Sequence, residues 1–230
     1  MKPLFFIAFL FLGVMPGIAQ ECAKMYDYFK EGVQLEYTHY DKKGKIESVN
    51  TQHVIGIENR KDTLVATFEV TSVDDQGKEV FRNTFPIKCH EGTVYMDMRG
   101  VVPPQQNQEG APDMKIEVRG TDQTFPPDMK PGQILPDAEM EITIRMGDIQ
   151  LMTTKYTIKN RKVEVAEVIT TVVGTYKCLI ISYDFEYKLM GTRSIHTLYW
   201  YSQAVGMLKS VSYDKKGNEE SRIELTKFVQ

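Results

Sequence analysis

The stretch Glu139-Met140-Glu141-Ile142-Thr143-Ile144-Arg145-Met146 alternates polar and apolar residues without a break. Successive side chains of an extended chain point to opposite faces, so Met140, Ile142, Ile144 and Met146 share one face and the polar residues share the other. One dry face and one wet face mark a strand of an antiparallel sheet. The same period runs outward in both directions. Val33, Leu35 and Tyr37 alternate with polar neighbours, and so do Leu64, Ala66, Phe68 and Val70. Helical periodicity is nearly absent; a helix is expected only near residues 21–29.

The turn chemistry agrees. Asp41-Lys42-Lys43-Gly44, Asp74-Asp75-Gln76-Gly77 and Asp214-Lys215-Lys216-Gly217 each separate two strand-like runs. The Asp side chain can close an Asx turn and the Gly supplies a positive φ, so each reads as a hairpin tip with solvated lysines. Gly147-Asp148 and Lys159-Asn160-Arg161 read as further hairpins. About a dozen strands result, which predicts an all-β, mainly antiparallel fold: a strongly curved sheet or half-barrel with little helix. The exception is residues 101–136, which hold seven of the ten prolines. That run cannot be continuous central sheet, and reads as a surface excursion from a single domain spanning 20–230.

Composition excludes several roles. The 230 residues carry a formal net charge of −3, with 42% hydrophobic and 26% charged residues. This is ordinary globular composition, without the basic footprint that nucleic acid or an anionic membrane attracts. Lys2 and the apolar run from Leu4 to Leu12, broken at Gly13 and Pro16, read as a secretory signal over 1–19 that is removed after Ala19. The expected location is the periplasm or cell envelope. Large polar Gln20 and Glu21 before Cys22 argue against lipid attachment there. No later stretch is long and apolar enough to predict a transmembrane helix. Cys22, Cys89 and Cys178 then meet an oxidising compartment, where they allow one disulfide, in any of three pairings, and one leftover thiol.

The search for chemistry is mostly negative. His39, His53, His90 and His196 show no metal-ligand spacing, no nucleophile elbow exists, and no Gly-rich loop precedes a helix. Asp27, Asp97, Asp148 and Asp184 offer no distinguished acid–base pair. The expectation is a protein that is not an enzyme and needs no cofactor and no metal. The apolar residues are more informative. Met is polarisable and lines adaptable cavities, while Trp offers a broad face with one polar edge. Met96, Met98, Met140, Met146 and Trp200, the last expected to point inward, are the candidate ligand-binding residues.

From Pro131 onward the order Pro131-Gly132-Gln133-Ile134-Leu135-Pro136-Asp137-Ala138, Gly174-Thr175-Tyr176-Lys177-Cys178 and Trp200-Tyr201-Ser202-Gln203-Ala204-Val205-Gly206 resembles a family of exported proteins of unknown function in Gram-negative bacteria, grouped with the TapB-like proteins. That resemblance implies a curved antiparallel sheet akin to the half-barrel of periplasmic lipoprotein carriers, and no catalytic residue transfers with it. Residues 101–112 depart from it, since a short helix is expected there. Together these readings predict an exported, non-catalytic protein that binds a lipid-like ligand, or a lipidated partner, on a concave sheet face. The alternative is a structural or protein-interaction module of an envelope assembly.

Overall fold

The computed structural model describes residues 18–98, 114–188 and 191–230. The predicted signal therefore lies almost wholly outside the described residues, and the stretch 101–112, with the short helix expected there, lies wholly outside them. One short helix, α1 (Ile18–Met25), precedes thirteen strands: β1 (Gln34–Asp41), β2 (Ile46–Arg60), β3 (Thr63–Asp74), β4 (Glu79–His90), β5 (Thr93–Asp97), β6 (Met114–Gly120), β7 (Asp122–Phe125), β8 (Ala138–Met146), β9 (Ile149–Thr171), β10 (Gly174–Lys188), β11 (Thr192–Ser202), β12 (Gly206–Tyr213) and β13 (Glu219–Val229). All pair antiparallel in one sheet of order β6-β8-β9-β10-β11-β12-β13-β1-β2-β3-β4-β5-β7. The sheet curls into a nearly closed barrel, as the alternation predicts.

Three turns share one construction. The Oδ1 atoms of Asp41, Asp74 and Asp214 each accept two backbone N–H groups from the loop they open, at 2.7–2.9 Å. Gly44, Gly77 and Gly217 follow at φ 76°, 80° and 81°, where a Cβ would be strained.

The barrel closes in an unusual way. Its two edge strands, β6 and β7, are consecutive in the chain and separated by Thr121 alone. One extended segment thus pairs first with β8 and then with β5 on the far edge. Thr121 N–H donates to the Glu139 carbonyl at 2.9 Å, and Glu139 N–H donates to Thr121 Oγ1 at 3.0 Å. Gly120 is required here by proximity: a Cβ on it would stand 2.8 Å from the Glu139 oxygen. Residues 101–136 are therefore only partly an excursion, because 114–125 belong to the sheet at both its edges.

Two other expectations change. Lys159-Asn160-Arg161 is no hairpin: β9 runs through it for 23 residues. Asn160 sits at φ 56°, a left-handed conformation that Asn tolerates, and acts as a bulge that resets the pairing with β10. Asn160 Nδ2 donates to Asp184 at 2.8 Å, and its N–H to Asp137 at 3.1 Å, which holds the bulge. The helix comes a little earlier than expected, and the chain after it turns inward to bury Tyr26, Tyr28 and Phe29. Cys22 pairs with Cys89, tying α1 to β4, and Cys178 is the buried free thiol.

The main core includes Leu35, Tyr37, Phe68, Ile87, Phe125 and Tyr201. A smaller cluster of Met98, Ala138, Met140 and Ile158 packs with Tyr156 and Phe185.

Candidate ligand cleft

The Asn160 bulge turns Arg161 into the barrel, where it is fully buried. Its guanidinium donates to the Thr124 carbonyl at 2.9 Å and to the Pro136 carbonyl at 2.8 Å, and lies 5.1 Å from the centre of the Phe125 ring. Among the described residues no carboxylate pairs with it. Burial therefore pushes its pKa down to about 10. Arg161 fastens β7 and the loop before β8 to β9 from within. Phe125 in turn stacks on Tyr201 and Tyr199, at 4.8 and 5.9 Å between centroids. Burial holds the hydroxyls of Tyr28, Tyr37, Tyr199 and Tyr201 far above their ordinary pKa, so they are neutral at physiological pH. Side chains fill this part of the concave face.

Open volume lies instead at the barrel mouth, in a cleft of about 650 Å3. Met25 and Tyr26 form one wall, Pro127 and Met129 a second, and Ala166, Val168 and Cys178 of β9 and β10 a third. Each wall is fixed by a specific contact. The Cys22–Cys89 disulfide anchors α1, Tyr26 donates its hydroxyl to the Gly92 carbonyl, and Asp27 N–H donates to the Ala204 carbonyl at 2.9 Å. Pro127 packs on Gly92, where a Cβ would come within 3.1 Å. The β9 wall is a sheet edge. Its first rungs are taken by the loop after β7, where Val163 N–H donates to Gln133 and Gly132 N–H donates to Val163. From Glu164 to Thr171 no described strand pairs with this side of β9.

Burial raises the Cys178 thiol to about 11, so it is protonated at neutral pH and a poor nucleophile. The histidines do not converge: His39 meets Asn50, and His196 meets Asp184 at 3.0 Å on an exposed sheet face. No group of three or more potential metal ligands occurs among the described residues.

The five candidate ligand residues do not form one site. Met98 and Met140 meet in the smaller cluster, Met96 packs on the main core, and Met146 is exposed at the β8–β9 turn. None of the four lines the cleft. Trp200 faces away from the Tyr199–Tyr201 stack, because it alternates with them on β11. It donates Nε1–H to Glu167 at 2.6 Å and lies under Lys209 at 5.3 Å, in a separate groove. Trp200 is half-buried and packs on the main core from the face opposite the tyrosines, so the inward orientation expected for it is met only in part. Sequence reasoning missed Arg161 and the cleft walls. The one local signal was Phe125-Pro126-Pro127, an aromatic residue followed by two residues that lack a backbone donor.

Residues 30–225 match the model of the DUF3108-like family. The chain belongs to the DUF3108-like family. Among solved structures it is similar to a Bacteroides fragilis protein described as exported and as having a YmcC-like fold, with a TM-score of 0.71 and 18% identity over 87% of this chain and 97% of that one. It is also similar to a Parabacteroides distasonis protein described as a lipoprotein, with a TM-score of 0.69 and 21% identity over 87% and 96%. At these identities the likeness establishes the fold of this family member and nothing finer. Neither match bears the TapB-like name. No curated protein matches the chain. No described helix is long and apolar enough to cross a membrane.

Proposed function

We propose that this DUF3108-like protein is a non-catalytic binding protein of the cell envelope, and that it holds an apolar, lipid-like chain in the cleft at the barrel mouth. The observation that carries this reading is an open cleft of about 650 Å3, more apolar than polar though Glu167 and Lys177 also line it, beside an interior that side chains already fill. That volume falls within the ordinary range for small-molecule sites, about 300–1,000 Å3. The driving force is burial: each methylene removed from water contributes about 0.8 kcal/mol, so even a half-covered chain gives measurable affinity. Export of this chain is supported by its amino-terminal signal pattern and by the descriptions of its two structural relatives.

Native mass spectrometry of protein purified without detergent, together with titration by a fluorescent fatty acid, tests the reading. Saturable binding that weakens at least tenfold in Val168→Glu, a change at an exposed wall position, is the expected outcome. The absence of any co-purifying species combined with unsaturable probe binding rejects it.

A second reading, a protein-interaction module, is favoured by the unpaired edge of β9 from Glu164 to Thr171. An extended segment of a partner would continue there the ladder that Gln133 and Leu135 begin. Val168→Pro, which removes one backbone donor, separates the two: it abolishes strand addition but leaves an apolar wall for a lipid chain.

A further inference from the structure

The open margin of β9 has a polarity that follows residue by residue from its pairing. The first rungs are used by the chain itself: Arg161 and Val163 turn their backbone groups outward, to Leu135 and to Gln133 and Gly132. Glu164 is then an extra residue in the pairing with β10, and one extra residue exchanges the two sides of a strand. From Val165 to Thr171 the pairing is regular, so Ala166, Val168 and Thr170 direct their N–H and C=O groups to the open side. Natural sheets blunt such an edge with lysine or proline. Neither occurs between Val165 and Thr171. The one charged side chain there, Glu167, is drawn back over its own sheet by the Trp200 Nε1–H.

Both ends of this margin are apolar. Among the described residues the two most exposed large apolar side chains are Val172, at 82%, and Ile134, at 68%. Val172 lies in the turn just past one end, and Ile134 lies opposite Lys162 just before the other. Within one copy they stand about ten strand residues apart, roughly 30 Å. Between them Val165 and Val168 are exposed at 46% and 61%. A β-branched stretch suited to the middle of a sheet thus lies bare along a whole edge.

We propose that a second copy of this chain covers the margin, β9 pairing antiparallel with β9 about a two-fold axis at Val168. This rests on the second reading above, that the β9 edge accepts a strand, and names the strand it accepts. Symmetry selects the register, because a two-fold axis through an antiparallel pair sets one residue opposite its own copy. Val168 is the middle of the regular positions Val165–Thr171. With Val168 on the axis, Val165 of each copy faces Thr171 of the other, Ala166 faces Thr170 and Glu167 faces Ile169. Val168 then exchanges hydrogen bonds with Val168, and Ala166 with Thr170 on either side of it. A shift of one step sets Glu167 opposite Glu167, where like charges repel. The opposite shift sets Val165 and Ala166 against the turn and forfeits their rungs. The register at Val168 also carries Val172 of each copy to Ile134 of the other, so the two exposed ends meet twice. An arbitrary extended peptide offers no side chain to both, and that singles out a second copy. The surface removed is on the order of 1,000 Å2 over both copies, the lower bound of a specific interface, so the dimer is weak and reversible.

Sedimentation velocity of the purified protein over a range of concentrations tests it. The expected record is a monomer that passes to a dimer as concentration rises. Val168→Pro, which removes the central donor, should weaken the dimer at least tenfold. Ile134→Lys and Val172→Glu should each weaken it at least tenfold, and the two combined in one chain should restore most of the affinity, because each new ammonium then meets a new carboxylate across the axis. Within one copy the same two groups are too far apart to pair. Both side chains are exposed, so circular dichroism of these variants is expected to be unchanged. A protein that stays monomeric at every concentration overturns the proposal. So does a dimer indifferent to Val168→Pro, or a double variant that binds no tighter than the single ones. A fluorescent peptide of residues 163–172 separates this failure from that of the edge reading. A monomer that takes up the peptide, and loses it in Val168→Pro, overturns the second copy and keeps the edge as a docking site for another partner. A monomer that ignores the peptide overturns both.

Discussion

Alkaline pH should unfold this protein abruptly, and the buried tyrosines set the reason. Tyr26, Tyr28, Tyr37 and Tyr201 are almost completely buried, and burial holds the pKa of each above its ordinary value of 10. Below that pH both folded and unfolded states are neutral at these groups, so stability is insensitive to them. Above it the unfolded chain ionises while the folded state keeps its protons, so stability falls as pH rises. Tyr28, Tyr37 and Tyr201, the most strongly shifted of the four, each cost about 1.4 kcal/mol per pH unit in that window, or roughly 4 kcal/mol per unit together. Tyr183 and Tyr199 act in the same direction. Arg161 acts in the opposite one, because its folded pKa is lowered and the unfolded chain binds the proton more tightly; a single group is outweighed. Domains of ordinary stability hold about 5–15 kcal/mol, so most of that is lost between roughly pH 10 and pH 12. Urea unfolding midpoints followed by circular dichroism across that range, alongside ultraviolet titration of tyrosine, provide the assay. The expected record is one group of tyrosines ionising normally and a second appearing only with loss of structure. If all twelve tyrosines ionise together near pH 10 while the urea midpoint stays constant, the filled tyrosine interior is refuted.

Two further outcomes concern the walls of the cleft and the closure of the barrel. Replacing Cys22 and Cys89 by Ala together frees a loop whose ends are 67 residues apart, with an entropic ceiling of about 4 kcal/mol. Thermal unfolding should drop by roughly 10 °C, and a shift below about 1 °C would count against α1 being anchored this way. Arg161→Met keeps the buried volume but leaves the Thr124 and Pro136 carbonyls without their donor, at a cost of about 1–3 kcal/mol. Hydrogen exchange should then quicken first in β7; uniform exchange across the sheet would show that Arg161 does not latch the seam.

The fold was largely legible because its evidence is local. The alternation at residues 139–146 and the Asp-initiated turns act over a few residues, and tertiary packing had no cause to override them. Lys159-Asn160-Arg161 misled for the same reason in reverse. Its residues suit a turn, and a left-handed Asn is indeed present, but pairing on both sides carries β9 straight through. β7 was invisible because four residues give no period. The cleft was not legible at all. Its walls come from α1, the loop after β7 and the β9–β10 hairpin, and only the closure of the barrel brings them together. The methionines drew attention as residues able to line a cavity, yet flexibility suits them equally to filling gaps between layers, which is where Met98 and Met140 lie. Trp200 packs on the main core as expected, but its two tyrosine neighbours take the opposite face, so it is only half-buried.

The passage of a single strand from β6 through Thr121 to β7 has a mechanical consequence. Elsewhere around the circumference neighbouring strands are held by hydrogen bonds, which can break and re-form one rung at a time, and most are also tied at one end by a turn. At this point the two margins are joined by covalent backbone, so unzipping the sheet there cannot pull them far apart. Opening of the barrel has to begin elsewhere on its circumference, and the β13–β1 ladder, which no turn spans, is the joint left to part. A single proteolytic cut beside Thr121 would remove that limit while leaving every ladder in place, which makes one peptide bond the difference between a hoop and an open band.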